Sequence, residues 1–285
     1  MYVIAGVSGH TGSITAAALL AAGKPVRVIV RDAAKGAPWK ARGAEVAVAS
    51  LGDRDALARA LTGATAAFVL LPPPAWGADG VAAFRRDTTA AIVGAVAAAK
   101  PGHVVLLSSI GANLPSGNGP IKSLYPLEHG LRETGVPATF LRAAYFLENW
   151  GGMLEGAIAS GKLYYGTRVD VAFPQVATAD IGALAARLLV EPAPNGARIV
   201  ELAGPAELSL ADVAATIARV SGKPVEAVEV PTAAMVESLV GIGAAREVAD
   251  DYGEMASALG RGLLRWEAEP LRGTQTFETW LRAQR

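Results

Sequence analysis

The sequence predicts an α/β fold with a doubly wound parallel sheet and a smaller C-terminal α/β lobe. Three observations predict it. Apolar segments of strand length alternate with helical patterns through the first half of the chain. These segments are apolar throughout, as expected of a sheet that helices cover on both faces. A glycine-rich turn, Gly6-Val-Ser-Gly-His-Thr-Gly12, separates the first apolar segment from the first helical one, which is the order of a nucleotide-binding βα unit.

This glycine turn is the strongest local indication of a ligand. Gly6 lets the chain turn sharply, Gly9 lets phosphates approach bare backbone, and Gly12 lets the helix pack close to the strand. The start of the helix offers free N–H groups and the positive end of its dipole to an anion. We therefore expect a dinucleotide pyrophosphate at this turn, bound by Gly6, Ser8, Gly9, His10, Thr11 and Gly12.

The second strand, at residues 25–32, indicates which dinucleotide binds. Its carboxyl end is expected beside the adenosine ribose, where an acidic residue would bind the 2′-hydroxyl of NAD. The first polar residue after the apolar run is Arg31, whose guanidinium suits a 2′-phosphate. Asp32 follows and would repel that phosphate if it faced the site. The sequence thus favours NADP and leaves NAD open.

The remaining elements of the first half follow the same alternation. Further strands are predicted at residues 44–49, 66–71, 104–107 and 138–141, and helices from residue 53, at 80–99 and at 127–134. Strands separated by helices at this spacing predict right-handed crossovers and a parallel sheet.

The pattern changes after Arg142. Residues 143–152 are aromatic and glycine-rich, and helices at 179–190 and 210–220 then alternate with strands at 198–202 and 225–230. We interpret residues 1–150 as a Rossmann dinucleotide-binding domain and residues 151–285 as mainly a substrate lobe, interleaved with the sheet edge.

Composition excludes several classes of function. The 285 residues carry 26 basic and 26 acidic side chains, so no net field draws the chain to nucleic acid or to a membrane surface. The absence of cysteine excludes disulfides and thiol nucleophiles, and three scattered histidines make a metal site improbable. No apolar run reaches membrane-spanning length. We expect a cytoplasmic protein with no metal.

Five segments in this order resemble the NmrA-like family, an atypical branch of the short-chain dehydrogenase/reductase superfamily. They are Gly6-Val-Ser-Gly-His-Thr-Gly12, Val28-Ile-Val-Arg-Asp32, Val104-Val-Leu-Leu-Ser-Ser-Ile-Gly-Ala112, Leu141-Arg-Ala-Ala-Tyr-Phe-Leu-Glu-Asn149 and Val200-Glu-Leu-Ala-Gly-Pro205. The resemblance implies an NADP preference and a cleft between two lobes. Some members reduce quinones or other small conjugated molecules, whereas others bind the dinucleotide as redox-sensing regulators.

The loop after the fourth strand and the aromatic segment are the candidate walls of that cleft. The end of the fourth strand borders the nicotinamide half of a dinucleotide, so Leu71 and Pro72 are expected to contact the cofactor. Trp76 follows in the same loop and is a candidate to face a planar substrate. Tyr145, Phe146 and Asn149 are further substrate candidates; aromatic residues at this spacing also suit a core, and Asn149 also suits a helix cap.

The usual proton-transfer residues of the superfamily are missing. Active members place a lysine four residues after a tyrosine, and no Tyr-x-x-x-Lys occurs here. Tyr125 and Lys122 are the substitutes that the sequence offers, with His129 or water as further proton sources. Residues 250–254 form a charged cluster that we interpret as a solvated helix face, although the resemblance allows Tyr252 to approach the cleft.

Two functions remain open at this stage. The favoured one is hydride transfer from NADPH to a quinone or similar small conjugated acceptor, because a hydroquinone anion needs little help from a general acid. The alternative is a non-catalytic NADP-binding regulator of the NmrA type, which would act through a protein partner. A sugar-nucleotide epimerase is disfavoured because Tyr-x-x-x-Lys is missing.

Overall fold

The computed structural model describes residues 1–284, and its centre is an eight-stranded parallel sheet. The strands of the chain are β1 (Tyr2–Ile4), β2 (Val26–Val30), β3 (Glu45–Val48), β4 (Ala66–Leu70), β5 (Val104–Ser109), β6 (Ala138–Ala143), β7 (Tyr145–Phe146), β8 (Lys162–Tyr165), β9 (Phe173–Val176), β10 (Ala197–Ala203), β11 (Glu207–Leu208), β12 (Glu226–Glu229) and β13 (Leu271–Arg272). The central sheet has the order β13-β10-β6-β5-β4-β1-β2-β3, and every pair in it is parallel. The predicted fold class is confirmed.

Helices cover both faces of this sheet. The α-helices are α1 (His10–Ala21), α2 (Ala33–Ala41), α3 (Arg54–Leu61), α4 (Val81–Ala99), α5 (Leu124–Glu133), α6 (Leu154–Ser160), α7 (Thr178–Val190), α8 (Leu210–Ser221), α9 (Thr232–Gly241), α10 (Arg246–Gly260) and α11 (Phe277–Arg282). α1, α2 and α7 pack on one face, and α3, α4 and α5 pack on the other. Burial on both faces explains why the strands of this sheet are apolar throughout.

The strand order places a crevice beside β1. From β1 the chain runs outward through β2 and β3, and it then crosses to β4 on the other side of β1. The loops that follow β1 and β4 therefore diverge at the carboxyl edge of the sheet. In open α/β sheets, ligands bind at this reversal of strand order.

The C-terminal lobe has its own core but shares the sheet. A three-stranded sheet, β11-β9-β7, and a two-stranded sheet, β12-β8, pack with α6, α8 and α11 around Tyr145, Trp150, Phe173 and Trp280. After residue 150, however, α7 packs on α1 and β10 extends the central sheet. The chain thus passes between the two parts more than once, and the division at residue 150 stays a prediction.

Several local details differ from the sequence predictions. Helix α2 was not predicted, because Pro38 lies inside it and proline is a poor helix residue. Asn149 does not cap a helix: it lies within a 3₁₀ segment, Leu147–Met153, that precedes α6. Within residues 1–284, no helix combines the length and the apolar character needed to cross a membrane.

Candidate functional site

The glycine turn between β1 and α1 forms the floor of the site. Gly6 has a φ of 71°, and its carbonyl accepts a hydrogen bond from the Gly9 N–H at 2.9 Å. A Cβ at Gly12 would lie 2.5 Å from the carbonyl oxygens of Ala5 and Gly6, so only glycine lets α1 start this close to β1. No side chain caps α1, which leaves the N–H groups of its first turn available to an anion.

A cleft of about 720 Å³ extends from this turn along the carboxyl edge of the sheet. The predicted cofactor residues that line it are Gly6, Ser8, Gly9, His10, Thr11, Arg31, Leu71 and Pro72. Gly12 lies beneath the cleft wall, where it serves the packing of α1. The sequence-predicted pyrophosphate and ribose residues are therefore brought to one continuous surface.

Arg31 and Asp32 differ in what they offer a ligand. Arg31 is exposed at the end of β2 and lines the cleft. Asp32 is the N-cap of α2, and its Oδ1 accepts the Ala34 N–H at 2.9 Å. The Asp32 carboxylate is turned toward the start of α2 and does not line the cleft wall, so it is not aimed at a phosphate bound beside Arg31.

A second cavity of about 500 Å³ continues the cleft at the β4 end. The two spaces share the wall residues Leu71, Pro72, Pro73, Leu124, Phe146 and Asn149. Beyond them the second cavity is walled by Trp76, Pro120, Ile121 and Tyr252. We call this space the acceptor cavity. Its walls are mostly apolar and aromatic, with Arg85 of α4 as a charged exception, which suits a planar organic molecule with a polar group.

The predicted substrate residues divide between this cavity and the core. Trp76, Phe146 and Asn149 line the acceptor cavity, but Tyr145 lies in the core of the lobe, 8% exposed. The prediction that Tyr145 faces the substrate is wrong, because successive residues of β7 point to opposite sides. Burial raises the pKa of Tyr145 well above its ordinary value.

Tyr145 nevertheless supports the cavity wall from behind. Its hydroxyl lies 3.2 Å from that of Tyr165, and it hydrogen-bonds to the side chain of Asn149. Burial raises the pKa of Tyr165 to about 12, so both phenols stay protonated near neutral pH. Trp150 is fully buried and donates to Gln175 at 2.8 Å. These contacts fix the segment that presents Asn149.

The two predicted proton donors, Tyr125 and Lys122, are not brought to either space. The Tyr125 ring lies against His129, with ring centroids 4.1 Å apart. Lys122 Nζ is held by Asp251 at 2.7 Å and by Glu254 at 3.2 Å. Burial opposes the charge of Lys122, but these two carboxylates raise its pKa overall. The geometry does not support either residue as the donor.

The charged cluster at residues 250–254 is only partly solvated, contrary to the sequence interpretation. Asp251 is 6% exposed and forms a salt bridge with Arg85 of α4 as well as with Lys122. Glu254 also accepts the Gly119 N–H at 2.9 Å. This ion-pair network, Arg85–Asp251–Lys122–Glu254, fastens α10 to the first half of the chain and carries Tyr252 to the acceptor cavity.

Sequence reasoning missed Glu148, Thr178 and Arg85. Glu148 lines the cleft, and its Oε1 accepts from the Thr178 backbone N–H at 3.0 Å and from Thr178 Oγ1 at 2.6 Å, which satisfies the start of α7. Arg85 lies on the predicted helix at 80–99, but no local signal shows that it faces the acceptor cavity. In the part of the chain that the structure describes, no group of three His, Asp or Glu side chains is placed to hold a metal ion.

These features define a class of protein: a Rossmann-type dinucleotide-binding protein whose cleft opens into a separate cavity for a small organic molecule. Three features fit a phosphorylated dinucleotide: the start of α1 without a side-chain cap, the close packing of α1 on β1 that Gly12 allows, and the exposed guanidinium of Arg31. The chain belongs to the NmrA-like family, whose model matches residues 2–262.

Its similarity to individual members covers most of the chain. It is 28% identical over 255 residues to an NAD(P)H azoreductase of Xenophilus azovorans, covering 90% of this chain and 86% of that protein. It is 29% identical over 228 residues to a (4-alkanoyl-5-oxo-2,5-dihydrofuran-3-yl)methyl phosphate reductase of Streptomyces griseus, covering 79% and 75%. The structure of an NADPH-dependent quinone oxidoreductase of Escherichia coli complexed with NADPH superposes with a TM-score of 0.86 at 25% identity, covering 100% and 99%.

Proposed function

We propose that this protein is an NADPH-dependent reductase of planar conjugated acceptors, quinones among them. The observation that carries the proposal is the junction between the two spaces. The dinucleotide cleft ends against Leu71, Pro72, Phe146 and Asn149, and the same residues begin the acceptor cavity. A dinucleotide in the cleft and an organic molecule in the acceptor cavity would therefore lie next to each other at these shared residues, as hydride transfer requires.

The choice of NADPH rests on Arg31. It lines the cleft at the end of β2, beside the position expected for the adenosine ribose, and its guanidinium can form two hydrogen bonds to a 2′-phosphate, whereas an NAD-specific site uses an acid there. The adjacent acid, Asp32, caps α2. The E. coli relative was solved with NADPH, and the azoreductase is described for NAD(P)H.

A bound NADPH would supply the hydride. The protein would hold the cofactor and the acceptor next to each other, beside an apolar wall. Pro72 and Pro73 stiffen the loop after β4, while Phe146 and Leu124 place apolar side chains at the junction. Asn149, held by Tyr145, presents an amide that can donate a hydrogen bond to an acceptor oxygen or nitrogen. Such a donor stabilises the negative charge that hydride addition places on the acceptor.

The class of acceptor follows from the cavity and agrees with the relatives. An azo group, a quinone and an unsaturated lactone differ in their atoms, but each is a conjugated electrophile that accepts hydride at one end. Most of the wall of the acceptor cavity is aromatic or proline, which suits a flat molecule, and Arg85, Asn149 and Tyr252 are the polar groups of that wall. The relatives reported above are all reductases, so a non-catalytic regulator is not favoured.

Turnover of a panel of acceptors tests the proposal. Purified protein should oxidise NADPH in the presence of simple benzoquinones and naphthoquinones. It should also reduce an azo dye, at a different rate but with the same requirement for NADPH. Gly9→Ala is the matched control, because its added methyl group meets only the Gly6 carbonyl at 3.5 Å within the protein but stands at the pyrophosphate wall. NADPH binding without oxidation by any acceptor would favour the regulator instead.

A further inference from the structure

The acceptor cavity contains two ionisable side chains within residues 1–284, Arg85 and Tyr252. An arginine keeps its proton at any physiological pH. Among the described residues, Tyr252 is thus the one group in this cavity that can deliver a proton to a bound molecule. The ionisable side chains that the described part of the chain brings to the cofactor cleft are His10, Arg31 and Glu148, of which His10 lies on the pyrophosphate turn and Glu148 caps α7.

Tyr252 is held in place but keeps its hydroxyl free. Its ring lies against Trp76, with ring centroids 5.8 Å apart and planes inclined by 58°. The preceding residue on α10, Asp251, forms salt bridges with Arg85 and Lys122, and these contacts fix the position of Tyr252. In the described part of the chain, no side chain or backbone group hydrogen-bonds to the Tyr252 hydroxyl, so its donor remains available to a ligand.

The charges around Tyr252 suit a proton donor. Burial is the largest influence and raises its pKa, so the phenol is protonated at neutral pH. The Arg85 cation on α4 lowers the pKa, and the Asp251 carboxylate on α10 raises it. Arg85 therefore stands where it stabilises the phenolate that remains after the proton has left.

Two further pairs of groups face this region. Lys122 and Glu254 complete the ion-pair network with Asp251 and balance each other in charge. From the lobe core, the buried phenols Tyr145 and Tyr165 lie near enough to interact electrostatically with Tyr252. Both have raised pKa values, so neither competes with Tyr252 as a donor in the neutral range.

We propose that Tyr252 is the proton donor of the reductase, with Arg85 stabilising its phenolate. The proposal rests on the proposed function. The acceptor gains a hydride, with its two electrons, at one end of its conjugated system, and the electron pair displaced there moves to the other end. The Tyr252 O–H bond breaks, its proton joins that other end, and the phenolate regains a proton from water. The net change is uptake of one hydride and one solvent proton.

The first test is Tyr252→Phe, which keeps the ring against Trp76 and removes the hydroxyl. We expect kcat with an azo dye to fall roughly 100-fold, within the usual range for loss of a general acid, and kcat with a quinone to fall less, while the Kd for NADPH is unchanged. The remaining rate should fall steadily as the pH rises, because hydronium ions from the solvent then supply the proton. Tyr164→Phe is the matched control, since Tyr164 is 50% exposed and lines neither space.

A second variant separates proton donation from shape. Incorporation of 3-fluorotyrosine at position 252 keeps the size of the ring and makes the phenol more acidic. The alkaline limb of the kcat profile should then move to lower pH, which a purely structural role would not produce. An unmoved limb together with a Tyr252→Phe rate on the azo dye within twofold of the parent would overturn the proposal.

Two measurements without turnover keep this test independent of the proposed function. In an ultraviolet difference titration, Tyr252→Phe should lose one phenol whose pKa lies above the ordinary value for tyrosine. In a binding assay without cofactor, the parent protein should bind a hydroquinone more tightly than Tyr252→Phe does. Equal hydroquinone binding by both proteins would count against Tyr252. If the parent protein reduces no acceptor, the proposed function fails, whatever the titration of Tyr252 shows.

Discussion

The two ends of the cleft are built from different kinds of structure. The pyrophosphate end is made by the backbone of residues 6–12, within one βα unit. The acceptor end is made by side chains from the loop after β4, the turn before α5, the segment after β7, and α10. A site made of contiguous backbone depends on local geometry, whereas a site made of distant side chains depends on how the whole lobe packs. The two ends should therefore fail in different ways when they are altered.

The largest effect is expected at Gly12, and the contrast with Gly9 in the same turn makes it informative. Gly12→Ala places a methyl group 2.5 Å from backbone atoms of Ala5 and Gly6 that cannot yield. We expect a loss of about 3 kcal/mol in the free energy of unfolding, the upper end of the usual cost of overpacking, together with lost NADPH binding. Urea denaturation and a fluorescence titration with NADPH measure the two effects.

Gly9→Ala sharpens this result, because the same chemical change falls at the cleft wall. Its methyl group makes an ordinary contact with Gly6, and the Gly9 φ of −109° is open to any residue. NADPH affinity should fall while the unfolding midpoint stays within error of the parent. Equal losses of stability in the two variants would mean that the turn acts through folding alone.

The same contrast explains how much the sequence could predict. The parallel sheet, the helices between its strands and the glycine turn depend on neighbours in sequence and on periodicity, and they were predicted correctly. The facing of β7 could not be predicted, since the sequence makes Tyr145 and Phe146 equally suited to a core or a pocket. Only the packing of Trp150 and Tyr165 decides that Tyr145 turns inward.

Long-range pairing caused the other errors. Lys122 and Asp251 are far apart in sequence, so neither their salt bridge nor the burial of Asp251 could be inferred from a local charge pattern. Residues 250–254 were interpreted as a solvated helix face because three of them are acidic. The salt bridge from Arg85 on α4 holds Asp251 in a buried position. No rule of sequence spacing connects residue 85 to residue 251.

The next prediction concerns acid stability in the dinucleotide-binding half. His103, just before β5, is 2% exposed, and its Nε2 lies 2.9 Å from Thr139 Oγ1. Burial, and then the charge of Arg198, lower its pKa to about 4. Below pH 6.5 the unfolded chain binds a proton that the folded chain refuses, so stability present above pH 6.5 is lost progressively as the pH falls toward 4, by up to about 3 kcal/mol.

His103→Gln should remove this dependence. The variant is expected to be less stable than the parent at pH 7 but to lose less stability between pH 6.5 and pH 4, as measured by urea denaturation at several pH values. Parallel stability profiles for the two proteins would show that other groups set the acid limit.

A smaller effect is expected at the ribose position. Arg31→Ala removes a cation that lines the cleft without altering the core, so stability should not change. The affinity for NADPH should fall roughly 10- to 100-fold, as expected for loss of a hydrogen bond to a charged group, while the affinity for NADH stays the same. A parallel loss for both dinucleotides would place Arg31 at the adenine instead of the 2′-phosphate.

The smallest effect is expected at the wall of the acceptor cavity, where Trp76 is one of several aromatic and proline side chains. Trp76→Ala removes one aromatic wall, and such contacts contribute about 0.5–1.5 kcal/mol, so KM for a naphthoquinone should rise roughly threefold to tenfold. The Kd for NADPH should not change, because Trp76 lines the acceptor cavity and not the dinucleotide cleft. Val48→Ala is the control, since Val48 is also an exposed apolar residue but lies on the far edge strand, β3. If Trp76→Ala instead weakened NADPH binding and left KM unchanged, the two ends of the cleft would not be the separate sites that their construction indicates.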